Sequence, residues 1–370
     1  MKKNSIARQS PRGGTPIPPP KANTMGMDLG DRTSRCCELV EGDAMREGMV
    51  ATTRKAMIGK FGSMPRCRIA IEVGAHSRWV SRLLTELGHE VYVANARQVK
   101  LISQSSRKDD RLDAQTLARL ARVDPELLAP IRHRSEEAQQ DLNVIRVRAR
   151  LMDLRTSAVN SVRGYSKSSG ERLPSCDADQ MGVERGENLP AELRESLQPL
   201  LEIVESLTEK IRQCDGKIEQ IAREKYPETK LLEQVNGVGT LIALTFVLTL
   251  EDRARFEKSR DVGCYVGLRP KRSESGARQP QLGISKEGDR YLRKLLVQGA
   301  HGILRYRAPD TDLKRWGLKL AERGGRNAKK RAIVAVARKL GILLHRLWVT
   351  AEVYEPLRNS RAREQLRPAA

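Results

Sequence analysis

The chain has 370 residues, a net charge of +22 and only 4% aromatic residues. That length admits two or three domains, and the charge calls for a polyanionic partner, nucleic acid before membrane. So few aromatics argue against recognition dominated by base stacking and leave phosphate contacts from Arg and Lys as the source of affinity. Six cysteines (Cys36, Cys37, Cys67, Cys176, Cys214 and Cys264) form no C-x-x-C pair and have no histidine at zinc spacing, which argues against zinc and fits a reducing cytoplasm. The longest apolar run, Leu241 to Leu250, is too short to span a bilayer. The basic start is followed by no apolar segment, so neither a secretory signal nor a membrane partner is expected.

In chain order, residues 1–23 read as a disordered basic arm. Residues 24–130 alternate short apolar strands with amphipathic helices, the pattern of a mixed sheet with helices packed on it. Strands are predicted at Met25–Leu29, Cys36–Val40, Gly48–Thr52, Arg68–Val73 and Glu90–Ala94, with helices at Ser77–Leu87 and Asp113–Arg122. In residues 131–227, Leu193, Leu197, Leu200, Val204, Leu207, Ile211, Cys214, Ile218 and Ile221 are spaced alternately four and three apart. That is a coiled-coil seam. A weaker echo runs through Ala138, Leu142, Ile145, Ala149, Met152, Thr156 and Val159. The two helices fit an antiparallel hairpin or pairing with another subunit. Residues 228–350 form a third, mostly helical unit, and residues 351–370 a tail. Within the third unit, Val235–Gly239 resembles a helix-hairpin-helix turn, with a plain turn before a core helix as the alternative.

Four acids carry the chemistry. Asp28 ends the run Met25-Gly26-Met27, and Glu72 ends Ile69-Ala70-Ile71; Asp110 and Asp113 open a helical pattern. An unpaired acid at the end of a buried strand is costly, and a divalent cation with oxygen ligands removes the cost. The plain alternative for Asp109 or Asp110 is a helix cap; Asp109 is set apart as a surface charge. His76 is either a proton shuttle or a hydrogen-bonded loop histidine. From 269 to 294 there are eight Lys/Arg against three Asp/Glu, and from 314 to 346 eleven against one. Arg269, Arg272, Arg278, Lys286, Lys329, Lys330 and Arg331 are the candidate nucleic-acid contacts. Ser285 reads as the N-cap of a helix over Lys286–Leu304.

The ordered series Asp28, Glu72 and Lys108-x-Asp110-x-x-Asp113-Ala114 resembles the DEDD transposases of the insertion-sequence 110 family, including its eleven-eleven subgroup. So do Asn236-Gly237-Val238-Gly239, Tyr265-Val266-Gly267-Leu268-Arg269-Pro270, Ser275-Gly276 and Leu282-Gly283-Ile284-Ser285-Lys286-x-Gly288-Asp289. The resemblance implies an α/β plus all-α protein: an RNase H-like N-terminal domain of Holliday-junction-resolvase type, a coiled-coil helical arm and a helical C-terminal transposase domain. It implies Mg²⁺ (two ions, with Mn²⁺ as a substitute) on Asp28, Glu72, Asp110 and Asp113, and Ser275 as a nucleophile forming a serine–DNA link, with Ser273 as fallback. It also implies element-end and target DNA as substrates, a structured noncoding guide RNA, a homo-oligomer (dimer or tetramer) and a cytoplasmic, nucleoid-associated protein. Two other functions fit the residues alone: a metal-dependent junction resolvase or nuclease using only the acids, and a non-catalytic nucleic-acid-binding protein.

Overall fold

The computed structural model describes residues 23–40, 44–95, 109–271, 273 and 282–360. Residues 1–22 of the predicted N-terminal arm, Arg272, Ser275, Arg278 and the second half of the predicted tail (361–370) lie outside the described residues. The chain divides into two units, Met1–His133 and Arg134–Ala370, so the predicted coiled-coil and C-terminal segments share one unit.

The first unit is built on β1 (Thr24–Asp28), β2 (Thr33–Leu39), β3 (Met45–Ala51), β4 (Arg68–Glu72) and β5 (Glu90–Ala94), in the order β3-β2-β1-β4-β5. The meander β1–β2–β3 is antiparallel, whereas β1–β4 and β4–β5 are parallel. Helices α1 (Arg54–Phe61) and α2 (Ser77–Glu86) cover one face, and α3 (Asp110–Val123) packs on the other. Helix α1 was not evident in the sequence, because its Gly-Lys-rich stretch has no apolar stripe; it buries only Met57 and Phe61.

Strand alternation decides which helix meets which face. Met25, Met27, Ile69 and Ile71 point to the α1/α2 side and fill its core with Met57, Phe61, Val80 and Leu84. The intervening Gly26 and Ala70 point to the α3 side, where α3 buries Ala114, Leu117, Ala118 and Ala121. Small residues on both surfaces let α3 approach closely: a Cβ at Gly26 would sit 2.0 Å from the Ala114 carbonyl oxygen and 2.4 Å from the Ala118 nitrogen. Both ends of α3 are anchored. Glu47 accepts hydrogen bonds from Arg111 and Gln115 near its start. Near its end, the buried Arg68 donates to the Ala121 carbonyl (3.1 Å) and pairs with Glu90 (3.2 Å).

In the second unit α4 (Glu136–Ser168) and α5 (Ala191–Lys225) form an antiparallel hairpin, the first of the two arrangements the sequence allowed. Asp141–Lys225, Arg148–Asp215 and Arg155–Thr208 mark the register. The seam is not quite the predicted one. Leu197, Val204, Ile211, Ile218 and Ile221 are buried as predicted, together with Leu201, Thr208 and Ala222, while Leu193, Leu200, Leu207 and Cys214 lie half-buried at its flank. In α4 the buried Arg155 replaces the exposed Thr156. The apolar stripe on α5 is wider than one seam, and the polar partners across the hairpin choose its centre line.

Helices α6 (Thr240–Leu250), α7 (Arg290–Ile303), α8 (Asp312–Glu322) and α9 (Ala328–Thr350) complete the unit. Phe246, Leu296, Val336, Leu340 and Trp348 lie in its main core. The turn before α6 is a packing element. Gly237 has φ +84, and a Cβ there would lie 2.6 Å from the Gly299 carbonyl oxygen of α7. The helix expected over Lys286–Leu304 starts later than predicted, at Arg290. Lys286 has left-handed backbone (φ +59), and Asp289 rather than Ser285 caps the helix, accepting from Tyr291 N and Leu292 N at 2.9 Å. The Ser285 hydroxyl is buried without a partner.

The Gly26 contact gives a direct test. Gly26→Ala forces α3 off the sheet, with a loss at or above the upper end of the roughly 1–3 kcal/mol typical of overpacking. Urea unfolding of the wild type and variant measures it, and equal midpoints would refute the close approach.

Candidate functional site

Three elements bring the acids together. Strands β1 and β4 run parallel with Met27 opposite Ile71, so the chains reach Asp28 and Glu72 side by side. Both acids fall on the small-residue face, two positions beyond Gly26 and Ala70. Helix α3 runs back over that face. Ala114 and Ala118 lie on Gly26, which carries the first turn, with Asp110 and Asp113, toward the end of β1. Asp109 takes no part: it caps α3, its Oδ1 accepting from Arg111 N at 3.0 Å.

The electrostatics record the convergence. Asp28 is pushed up to about 6, first by burial and then by the charges of Asp110, Glu72 and Asp113, against a smaller lowering from the Leu29 backbone hydrogen bond. Among the described residues no three Asp, Glu, His or Cys side chains close around a single point as they stand. The four carboxylates are therefore near enough to repel but are not drawn into a shell. Their donors are all hard oxygens, the type that Mg²⁺ or Mn²⁺ takes, and a dication there would offset both the burial of the Asp28 charge and the repulsion from its neighbours.

His76 follows Glu72 in the loop before α2. Its Nδ1 accepts from the Trp79 indole N–H (3.1 Å), which leaves Nε2 facing Asp31 Oδ1 at 3.4 Å. His76 is thus hydrogen-bonded at both ring nitrogens. The neighbouring Ser77 hydroxyl holds the loop through the Gly74 carbonyl (2.8 Å) and His133 Nε2 (3.0 Å).

In the second unit, Pro270 and Ile284 form an antiparallel bridge flanked by Lys271 N to Gly283 O (2.9 Å) and Ser285 N to Arg269 O (2.8 Å). This ladder ties the two ends of the segment that carries Ser275 in sequence. Arg269, Lys286 and Ser273 are exposed around it. Lys329, Lys330 and Arg331 occupy the first turn of α9, where the helix dipole disfavours cations, so an anion bound there relieves both. Arg338 and Lys339 belong to the same cation-dense face of this helix, whose density argues for nucleic-acid contact against the plain alternative of a solvated face. The Arg338 Nε is buried without a hydrogen-bond partner, while the exposed Lys339 sets its Nζ 3.8 Å from the Trp316 ring centroid. Trp316 was missed because the helical period of α9 assigns a face but not the neighbour, α8, that lies against it. No helix among the described residues is long and apolar enough to cross a membrane.

An α/β unit tipped with four acids, in one chain with a helical unit rich in cations, is the equipment of an enzyme that breaks and joins DNA strands, a transposase. Residues 25–166 match a family model described as a transposase of the DEDD type, and residues 229–314 match the "Transposase IS116/IS110/IS902 family". The chain is 29% identical over 304 residues to a probable family 20 transposase of Pseudomonas aeruginosa, covering 80% of this chain and 88% of that protein. It is 27% identical over 347 residues to the transposase for insertion sequence element IS1111A of Coxiella burnetii, covering 89% and 90%. A 27% identity over 286 residues links it to the transposase for IS1328 of Yersinia enterocolitica, covering 76% and 84%. The two family matches follow one another along more than half of the chain, and the protein belongs to the IS110/IS116 family of transposases.

The raised Asp28 predicts a pH dependence. The folded state binds this proton more tightly than the unfolded chain, so the contribution of this one group to stability is greatest below about pH 4 and is lost as pH rises through about 6. Without divalent cations, Asp28→Asn therefore melts higher than wild type at pH 8, by on the order of 1 kcal/mol after allowing for solvent screening, and equally at pH 4. Added Mg²⁺ at pH 8 narrows the gap. A variant less stable than wild type at pH 8 in chelator would show that Asp28 is not under like-charge strain.

Proposed function

We propose that this transposase excises and inserts an insertion sequence by two residue sets acting on one phosphodiester: the acids Asp28, Glu72, Asp110 and Asp113, and the nucleophile Ser275. The observation that carries the proposal is the convergence of Asp28, Glu72 and the first turn of α3, read out by the repulsion on Asp28. The mixed sheet, with acids at the ends of its two central parallel strands and a helix laid across them, supports an RNase H-like domain over about residues 24–130. The helical hairpin over 131–227 and the serine-bearing domain over 228–350 follow it.

The acids supply oxygen ligands for Mg²⁺ or Mn²⁺. When bound, two such ions stabilise charge on the attacking and leaving oxygens of a phosphoryl transfer. The chain's own residues do the rest. The Ser275 hydroxyl oxygen attacks phosphorus and forms the serine–phosphate ester as the bond to the leaving deoxyribose oxygen breaks; the hydroxyl proton goes to solvent and a proton is returned to the leaving oxygen. Reversal with a second DNA end regenerates Ser275 and joins the strands, so no bond energy is lost between cutting and joining. Arg269, Arg272, Arg278 and Lys286 offset the phosphate charge near the serine, while Lys329, Lys330 and Arg331 hold backbone phosphates. A structured noncoding RNA as guide, a homo-oligomeric working form and a nucleoid location complete the proposal; family resemblance supports them.

The test is adduct formation on element-end DNA with Mg²⁺, resolved on denaturing gels. Wild type forms a covalent protein–DNA species. Ser275→Ala forms none, and Asp28→Asn and Asp113→Asn lose activity by about 100-fold or more. Cleavage at the wild-type rate by Ser275→Ala would leave a water-driven nuclease in place of the serine mechanism.

A further inference from the structure

A cavity of about 980 Å³ lies between the Pro270–Ile284 bridge, helix α8 and the first half of α9. Six cations reach it: Lys286, Arg323, Lys330, Arg331, Arg338 and Lys339. Among the described residues no Asp or Glu lines it. Five of the six are solvent-exposed and Arg338 is half-buried; together they make the cavity mouth strongly positive, a field that draws an anionic ligand. Arg338 is the most confined: its Nε is buried and makes no hydrogen bond, and its stem packs against Gly263.

The wall is not uniformly polar. Trp316, Leu320 and Ile342 form an apolar strip through it, and Lys339 already covers one face of the indole. Cations around an apolar strip set two demands on an occupant: several negative charges at the edge and a flat, weakly polar body in the middle. Inorganic phosphate meets the first only, and an aliphatic ligand the second only. The volume falls at the upper end of the range for small-molecule sites, which leaves room for a base, its sugar and the phosphates on either side.

We propose that this cavity receives one unpaired nucleotide of a DNA strand. Its base lies against Leu320, Ile342 and the Trp316 edge, and its flanking phosphates are held by Lys286, Lys330 and Arg331, with Arg338 directed at the inner phosphate. The inference rests on the DNA-binding reading above and adds a nucleotide taken out of the stack. Pro270 and Ile284 bracket Ser275 in sequence, so a strand unstacked here is opened beside the bridge from which the serine segment departs.

The experiment uses the full chain and three DNA duplexes: one fully paired, one with a single bulged base, and one with 2-aminopurine at the bulge. Expected are about tenfold tighter binding of the bulged than of the paired duplex, in line with one base–aromatic contact, and a change in 2-aminopurine fluorescence on binding. Ala335→Phe fills the cavity from α9 and brings the bulged-to-paired affinity ratio close to one. Arg338→Gln lowers the ratio at least about threefold and stands in should the filled variant fail to fold. Tight but equal binding of paired and bulged duplexes overturns the inference and leaves the DNA-binding reading intact. Failure to bind either duplex overturns that reading itself. A preference for bulged RNA without one for bulged DNA overturns the assignment to DNA.

Discussion

Helix α3 can lie where it does only because position 26 has no side chain. A Cβ there would overlap the Ala114 carbonyl oxygen, and the approach of Asp110 and Asp113 to Asp28 and Glu72 depends on that contact. Asp28 is two residues along the same strand face, Glu72 is its neighbour across the parallel β1–β4 pair, and Asp110 and Asp113 lie on the turn of α3 just before the contact. A methyl group at residue 26 would thus act on the site without touching it. The anchors Glu47 and Arg68 fix the two ends of the same helix, so its first turn cannot drift from the strand ends by tilting.

Each unit gathers charge of one sign in one place. In the first, four carboxylates face one another and Asp28 takes up the strain as raised proton affinity. In the second, cations occupy the unfavourable end of the α9 dipole and the wall of a cavity that no described acid lines. Neither pattern helps folding; each costs stability. Such costs persist where a partner of opposite charge completes the site. In the function proposed above, a dication would complete the first and a polyphosphate chain the second.

Much of this was legible in the chain. The alternations Met25-Gly26-Met27-Asp28 and Ile69-Ala70-Ile71-Glu72 placed large residues on one face and small residues with acids on the other; read only as apolar runs, they still located β1 and β4. The apolar face Ala114, Leu117, Ala118 and Ala121 located α3. Helix α1 was not visible, because a surface helix with two buried residues has no stripe to find. The cap of α7 was misplaced from Asp289 to Ser285, because a left-handed Lys286 is a consequence of the surrounding bridge and not of its own propensity. The centre line of the α4–α5 seam was also misjudged, since Arg155 and Thr208 compete for it on polar terms that spacing does not register.

The sequence by itself determined the family, the alternating strands, the four acids and the density of positive charge, because each of these is a property of residue type and spacing along the chain. Tertiary structure decided which face each acid shares, that Asp109 caps while Asp110 and Asp113 join Asp28, and that Arg338, Lys339 and Trp316 line a cavity. Those outcomes depend on the distance between segments far apart in sequence. Distances of that kind are set by packing volume, by the missing methyl at Gly26 in one unit and by α8 lying against α9 in the other, and periodicity carries no record of them.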